Sequence, residues 1–353
     1  MSKLIIFSDR HHDGLAYSLR LLAKRLNADI YFPIGLTWWQ KGFWDVAKPY
    51  SDSPDTANQY LSLDQRYHPV DGTLPLNIIK ATTPTHYEIE DLAHGDSLKS
   101  ITFDQFLNLD IDFIIASLPD HYATYTRLRN EYKPNAKVIC QMGNHWPIDF
   151  GIVKNLMAST IPFDIPSGIN AVFYHQEFDL NIFRQELPTN SKNIYSFVHY
   201  FPNTGGWKDF SEYKNSMNEF NFKSYGAGCP DGGINGVKRL ANKMRESSFV
   251  WHDKKGSDGF GHVIHSAMAV GRPLIVNYEE YKNKLAGQKL IPDKTCISLD
   301  SGESKETIRQ KIKKWSQPDQ LTEMGMNIYN KFKECVNYKN EEENIRTFMS
   351  NLR

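Results

Sequence analysis

The sequence is poor in cysteine and has no excess of one charge. Its 353 residues include only four cysteines, with no C-x-x-C pair and no histidine at zinc-finger spacing. This pattern argues against a disulfide framework or a structural zinc site and favours a reducing compartment. The 41 basic and 41 acidic residues give a net charge of zero. The chain therefore lacks the overall field that draws a protein to nucleic acid or to a membrane.

Long apolar segments are also missing. The first apolar run covers only residues 4–7, which is too short for the core of a secretory signal. No stretch approaches the roughly 18 apolar residues that a membrane-spanning helix needs. We therefore expect a soluble, cytoplasmic protein. The chain length predicts two domains of about 150–180 residues each.

Strands and helices alternate in a way that predicts an α/β protein. The first series has a helix with one apolar face at residues 15–26 and strands at 4–7, 29–34, 113–117 and 137–141. These strands are continuously apolar, which is typical of a parallel sheet covered on both faces. Residues 35–98 are rich in Trp, Pro, Tyr and His, and we expect long loops and short helices there.

A second series follows a segment rich in Pro, Asn and Gly at residues 160–192. It has strands at 194–198, 220–225, 248–251 and 273–276, helices at 237–246 and 261–270, and amphipathic helices after residue 305. The predicted organisation is an N-terminal domain over 1–185, a C-terminal domain over 190–330, and a last helix over 331–353. We expect that helix to pack back on the N-terminal domain.

The most informative segment follows the strand at 248–251. It reads D-G-F-G-H-V-I-H-S-A-M-A-V-G-R-P from Asp258 to Pro273. Gly259 and Gly261 let the backbone approach a ligand, and the N–H groups at the start of the following helix favour an anion such as a diphosphate. Asp258 is placed to cap that helix or to accept hydrogen bonds from sugar hydroxyls. Gly271 then ends the helix.

This segment resembles the donor-site signature of GT-B glycosyltransferases, especially the retaining glycogen-synthase-like and sucrose-synthase-like group. Their pattern is E-G-F-G-x-x-x-x-E-A-M-A-x-G-x-P. The chain departs from it at the two acidic positions, where it has Asp258 and Ser266. The resemblance implies a GT-B fold, with two Rossmann-like parallel-sheet domains facing a central cleft.

The resemblance also implies roles in donor binding. Asp258 would contact the donor sugar, and Ser266, His262 or His265 would replace the missing ribose contact. Lys208, in the loop after the strand at 194–198, would face the donor phosphates. The remaining donor-binding candidates are glycines and one aromatic residue of the same loops, namely Gly228, Gly259, Phe260 and Gly261.

Three further residues are candidates for the reaction itself. His12 and Asp13 lie between the first strand and the first helix, where a histidine beside a carboxylate suits a general base. The alternative is that Asp13 caps the helix while the histidines face solvent. His145 follows the strand at 137–141, and in the retaining relatives a histidine there approaches the donor sugar. A packed loop histidine is the alternative for His145.

No metal or cofactor is expected. The triplet from Asp110 to Asp112 matches a D-x-D metal motif, but it leads into an apolar strand and we interpret it as structural. The resemblance implies the same conclusion, because GT-B enzymes generally need no metal ion to stabilise the leaving group.

The sequence therefore predicts an enzyme that moves a sugar from a nucleotide-sugar donor to an acceptor hydroxyl. The acceptor is either a glycan or glycoconjugate, or a hydroxymethylated pyrimidine in phage DNA. The composition, rich in Lys, Asn and aromatic residues, suits a phage protein that acts in the host cytoplasm. One alternative is a non-catalytic GT-B relative that binds a nucleotide or sugar, which the loss of the second Glu supports. The other alternative is a nucleotide-sugar epimerase.

Overall fold

The chain forms two compact units in the computed structural model. Unit 1 consists of residues 1–178 and 338–353, and unit 2 of residues 179–337. The structure describes residues 3–9, 13–33, 43, 79–83, 85–91, 93–143, 148–160, 165–254, 260–300 and 302–352. The sequence placed the domain limits at residues 185 and 331, and the chain crosses between the units at 178/179 and 337/338.

Unit 1 is built on one mixed sheet. In the described part of the chain it has nine strands: β1 (Leu4–Ser8), β2 (Ala28–Pro33), β3 (Ile79–Thr82), β4 (Tyr87–Asp91), β5 (Asp96–Ile101), β6 (Phe113–Ala116), β7 (Lys137–Met142), β8 (Asn155–Ala158) and β9 (Asn170–Phe173). Their order is β3-β4-β5-β2-β1-β6-β7-β8-β9. The pairs β3–β4 and β4–β5 are antiparallel, and the other pairs are parallel.

The central strands are buried on both faces, which confirms the prediction of a covered parallel sheet. Along β1, Ile6 packs into one hydrophobic cluster and Phe7 into another, because successive side chains point to opposite faces. Along β6, Ile114 shares the cluster of Phe7, while Phe113 and Ile115 share the cluster of Ile6. Apolar residues are therefore needed at every position of these strands.

Two strand regions differ from the sequence prediction. Strands β3, β4 and the first half of β5 lie within residues 35–98, where loops and short helices were expected. Charged residues dominate β4, and β5 has only two apolar residues, Leu98 and Ile101, among polar ones, so neither segment shows a continuous apolar run. Strand β9 lies inside the Pro-, Asn- and Gly-rich segment at residues 160–192, where no strand was predicted. Only its third residue, Val172, is buried, which explains why the strand was missed.

Among the described residues of unit 1, three helices connect these strands: α1 (Asp13–Arg25), α2 (Phe103–Asn108) and α3 (Pro119–Tyr132). The apolar face of α1 is buried through Leu15, Leu19 and Leu22, as its periodicity predicted. Helix α2 begins with a capping box in which Thr102 and Gln105 satisfy each other's backbone N–H groups. Helix α3 has Pro119 in its first turn, a position where the missing N–H costs nothing.

Unit 2 is a smaller, wholly parallel α/β body. Its described strands are β10 (Asn193–Ser196), β11 (Asn221–Ser224), β12 (Phe249–His252), β13 (Leu274–Val276) and β14 (Cys296–Ser298), in the order β11-β10-β12-β13-β14. Its helices are α4 (Trp207–Ser216), α5 (Val237–Glu246), α6 (His262–Val270), α7 (Tyr278–Tyr281), α8 (Lys305–Trp315) and α9 (Pro318–Cys335). Two short 3-10 helices lie at Phe201–Asn203 and Leu285–Gly287.

The chain then returns to unit 1 through α10 (Tyr338–Leu352). Ile345, Phe348 and Met349 of α10 are buried in the same cluster as the apolar face of α1. The Arg346 guanidinium donates to the carbonyl oxygens of Arg25 and Leu26 at 2.6 and 3.0 Å and so closes the C-terminal end of α1. None of the helices in the described ranges combines the length and the apolar composition needed to cross a bilayer.

Candidate active site

The carboxyl ends of four parallel strands of unit 2 meet at one edge of the sheet. The loops that leave β10, β11, β12 and β13 all start at this edge. In open parallel sheets, ligands bind beyond the carboxyl ends of the strands. The sequence-predicted donor residues that the structure describes, from Lys208 to Ser266, lie in these loops or in the helices that follow them.

The amino terminus of α6 carries the strongest feature of this edge. Gly261 precedes the helix with φ +80° and ψ +51°, and no side chain caps the helix there. A methyl group on Gly261 would have no neighbour closer than 3.6 Å, so the left-handed backbone, rather than lack of space, favours glycine. The first N–H groups of a helix have no partner within the helix and carry its positive dipole end. This end of α6 is therefore suited to an anion.

The other end of α6 is fixed by close packing, in agreement with the predicted helix end at Gly271. Gly271 has φ +76°, and its N–H and that of Arg272 bond back to the last turn. A methyl group on Gly325 of α9 would lie 2.8 Å from the Gly271 carbonyl oxygen, so α9 requires glycine at this approach. The buried Arg272 guanidinium donates to carbonyl oxygens of Glu186, Val270 and Arg245.

The aromatic and histidine side chains of the motif pack together. The ring of His265 is fully buried, with its centroid 5.0 Å from that of Phe260 and 5.2 Å from that of Phe332. His262 contacts Phe260 edge-on at 5.1 Å, and Ser266 is 5% exposed. The structure thus gives Phe260 and His265 a clear packing role. The ribose contact assigned to His262, His265 or Ser266 stays a prediction.

The start of α4 is packed tightly against the end of β12. A methyl group on Gly206 would lie 2.0 Å from the carbonyl oxygen of Asp253, although Gly206 itself has an ordinary φ of −77°. The Asp253 carboxylate is fully buried and accepts a hydrogen bond from the Asn277 amide, which follows β13. Lys208, in the first turn of α4, is exposed. The loops after β10, β12 and β13 are therefore joined at one point.

The loops after β10 and β11 are joined as well. The Tyr200 N–H donates to the Ala227 carbonyl oxygen at 2.7 Å, and the Ala227 N–H donates to His199 Nδ1 at 2.9 Å. Gly228 has φ +69°, and a methyl group on it would lie 2.6 Å from the Tyr200 ring. Tyr200 is 59% exposed, so its ring packs against Gly228 and remains accessible to solvent.

Four of the predicted residues lie outside the described residues: His12, His145, Asp258 and Gly259. Asp13 begins α1, but its side chain is not among those that the structure describes. Within the D-x-D triplet, the Asp112 carboxylate accepts a hydrogen bond from the Ile5 N–H at 2.9 Å, which ties the triplet to β1.

Unit 1 contains a buried acid and histidine pair that the sequence did not reveal. Asp9 follows β1, and its carboxylate accepts hydrogen bonds from the N–H and hydroxyl of Ser117 after β6. His121 Nδ1, in α3, lies 3.3 Å from the same carboxylate. Burial raises the pKa of Asp9, but the hydrogen bond and charge of His121, with the bonds from Ser117, outweigh it and leave the pKa below its usual value.

Comparisons with known proteins place this architecture among glycosyltransferase structures. Neither a protein-family model nor a curated protein matches the chain. Anabaena HepE in complex with UDP matches with a TM-score of 0.60 and 11% identity, over 99% of this chain and 100% of that chain. Sucrose-phosphate synthase from Thermosynechococcus elongatus matches with a TM-score of 0.62 and 12% identity, over 99% of each chain.

An α-glucosyltransferase in complex with UDP and a 13-mer DNA also matches, with a TM-score of 0.63 and 11% identity over 99% of each chain. The fold prediction is thereby confirmed. The chain has the GT-B fold, with two α/β bodies, one built on a mostly parallel sheet and the other on a wholly parallel sheet.

Proposed function

We propose that the protein is a glycosyltransferase that uses a nucleotide-sugar donor bound at the carboxyl edge of the unit 2 sheet. The observation that carries this proposal is the amino terminus of α6, which follows a parallel strand, has a left-handed glycine as its cap, and lacks a capping side chain. Structural neighbours were solved with UDP or UDP-glucose, which supports a nucleotide sugar as the ligand. The helix end would hold the diphosphate.

The loops around α6 provide the rest of the proposed donor site. Asp258 would hold the sugar hydroxyls, and Gly259, Gly261 and Lys208 would face the diphosphate. Gly228 packs against the exposed ring of Tyr200, and this ring offers a flat surface on which a nucleobase would stack. These assignments rest on the sequence motif and on the contacts between the loops at the carboxyl edge of the unit 2 sheet.

The proposed reaction forms a bond from the acceptor hydroxyl oxygen to the anomeric carbon and breaks the bond from that carbon to the diphosphate oxygen. The hydroxyl proton must pass to a base. His12, Asp13 and His145 are the candidates from the sequence. We add His121 as a further candidate, because its Nδ1 lies 3.3 Å from the buried Asp9 carboxylate, as in acid–histidine pairs that accept protons.

The proposed acceptor is a glycan or glycoconjugate, or a hydroxymethylated pyrimidine in DNA. One structural neighbour, an α-glucosyltransferase solved with DNA, favours testing the DNA acceptor directly. Affinity for a hydroxymethylated duplex should fall steeply with salt if phosphates are contacted, with a slope of roughly −0.9 per phosphate neutralised. A flat salt dependence, together with transfer to a sugar acceptor, would favour the glycan.

The donor site is tested by thermal shift with a panel of nucleotide sugars on the wild type, Asp258→Ala and the neighbouring control Ser257→Ala. A donor at about 100 times its dissociation constant stabilises the wild type by about 2.7 kcal/mol. We expect Asp258→Ala to lose most of this gain and Ser257→Ala to keep it. If no nucleotide sugar stabilises the wild type, the proposal is wrong.

Mass spectrometry of the donor then separates the proposal from its two alternatives. A transferase consumes the donor in the presence of an acceptor, and slow hydrolysis without one also indicates catalysis. An epimerase isomerises the donor and needs no acceptor. A non-catalytic binding protein leaves the donor unchanged, even though the donor stabilises the fold.

A further inference from the structure

A buried lysine lies close to the amino terminus of α6 and has no role in the assignments above. The side chain of Lys284 is only 3% exposed. Its Nζ lies 3.0 Å from the Glu280 carboxylate and 4.5 Å from the ring centroid of Tyr281. The segment follows α7, which itself follows β13 at the carboxyl edge of the sheet.

Tyr281 connects this lysine to the helix end. The Tyr281 ring is fully buried, and its centroid lies 5.4 Å from that of His252, the last residue of β12. Its edge would contact a side chain at Gly261 at 3.7 Å, and Ala286 would contact the same position at 3.6 Å. Residues 281–286 therefore form a wall beside the cap of α6, with the Lys284 ammonium on the face of the ring.

A buried ammonium is expensive, since a charge taken out of water loses several kcal/mol of hydration unless nearby groups compensate. Glu280 and the Tyr281 face compensate part of this cost, and the Glu280 carboxylate is itself one third exposed. In the low dielectric of the protein interior, the same charge acts over a longer range than a surface lysine would. The Tyr281 ring thus separates the Lys284 ammonium from the amino terminus of α6.

We infer that Lys284 is a positioning residue of the donor site. Its charge strengthens the attraction of the α6 amino terminus for a diphosphate, and its side chain holds Tyr281 against Gly261. The inference rests on the proposed function and adds a residue that the motif does not contain. Lys208, the cation expected from the sequence, is exposed and better hydrated, so its charge is screened more strongly. The site should accordingly discriminate ligands by the number of their phosphates.

The test is isothermal titration of uridine, UMP and UDP against the wild type, Lys284→Met, Lys284→Arg and the control Lys282→Met. Lys282 is an exposed neighbour paired with Glu279. We expect Lys284→Met to weaken UDP binding by about tenfold or more and uridine binding by less than about threefold, because the lost interaction is with charge. Lys284→Arg should keep most of the UDP affinity, and Lys282→Met should match the wild type.

Equal weakening of uridine and UDP by Lys284→Met would indicate a purely structural role and overturn the inference, as would unchanged UDP binding. If Lys284→Met fails to fold, Glu280→Gln replaces it. Removing this counter-charge should tighten UDP binding relative to uridine, and the opposite change contradicts the inference. A wild type that binds no nucleoside diphosphate, in a panel that includes UDP, contradicts the proposed function itself.

Discussion

Replacing Gly206 by alanine should damage unit 2 although the backbone at this position is ordinary. With φ at −77°, alanine could adopt the native conformation without strain. The added methyl group would, however, lie 2.0 Å from the Asp253 carbonyl oxygen and 2.6 Å from its carboxyl carbon. Asp253 is fully buried and tied to Asn277, so the obstructing atoms have little room to move.

The expected cost follows from this geometry. Overpacking a well-packed site costs about 1–3 kcal/mol, and a clash with backbone belongs at the upper end, so we expect about 3 kcal/mol for Gly206→Ala. In a body of this size, that corresponds to a fall of about 6–12 °C in the melting temperature. Differential scanning calorimetry of the full chain measures it.

Two other glycines provide matched controls. At Gly233 an added methyl group meets nothing within 4 Å, so Gly233→Ala should change the melting temperature by no more than about 2–4 °C. At Gly261 there is space but φ is +80°, so Gly261→Ala should cost an intermediate amount, about 1–2 kcal/mol. If Gly206→Ala is no more destabilising than Gly233→Ala, the start of α4 is not tightly packed against Asp253.

Two further predictions concern buried titratable groups. Asp9 has a lowered pKa, so its stabilising contribution is present above the unfolded value near 4 and is lost as the pH falls through the folded value. Asp9→Asn should therefore lower the free energy of unfolding, measured with urea, by about 2 kcal/mol at neutral pH. The difference in unfolding free energy between the variant and the wild type should shrink below about pH 4. A difference that is independent of pH would contradict this explanation. Burial raises the pKa of Cys296 to about 12, so iodoacetamide at pH 8 should label the half-buried Cys229 and Cys335 in the native protein and leave Cys296 unmodified. Peptide mass spectrometry checks the order, and labelling of Cys296 as fast as Cys229 would refute it.

The features that the sequence predicted are those set by local pattern. The buried strands β1, β6 and β7 are continuous apolar runs, and α6 is bounded by glycines that its backbone needs in the left-handed region. The helix α5 agrees with its predicted limits, because its apolar residues recur at helical spacing. Such signals depend only on residues close together in the chain.

The features that the sequence missed depend on distant contacts or weak patterns. Asp9 and His121 are 112 positions apart, and nothing in either segment indicates that β1 and β6 lie side by side. Strands β4 and β9 lack apolar runs because they are partly exposed. Within the motif, the histidine at 265 looks like a ligand residue in sequence, whereas the structure packs its ring between Phe260 and Phe332.

The return of the chain to unit 1 has a consequence for protein synthesis. Residues 179–337 leave the ribosome as one uninterrupted stretch, so unit 2 can close as soon as α9 has emerged. Unit 1, although it is begun first, cannot complete the cluster that contains the apolar side of α1 until translation reaches Ile345 and Phe348. A nascent chain stalled before α10 would thus have a complete unit 2, while the part of the unit 1 cluster that α10 covers would still be exposed. Chaperones that recognise exposed apolar residues should then bind unit 1.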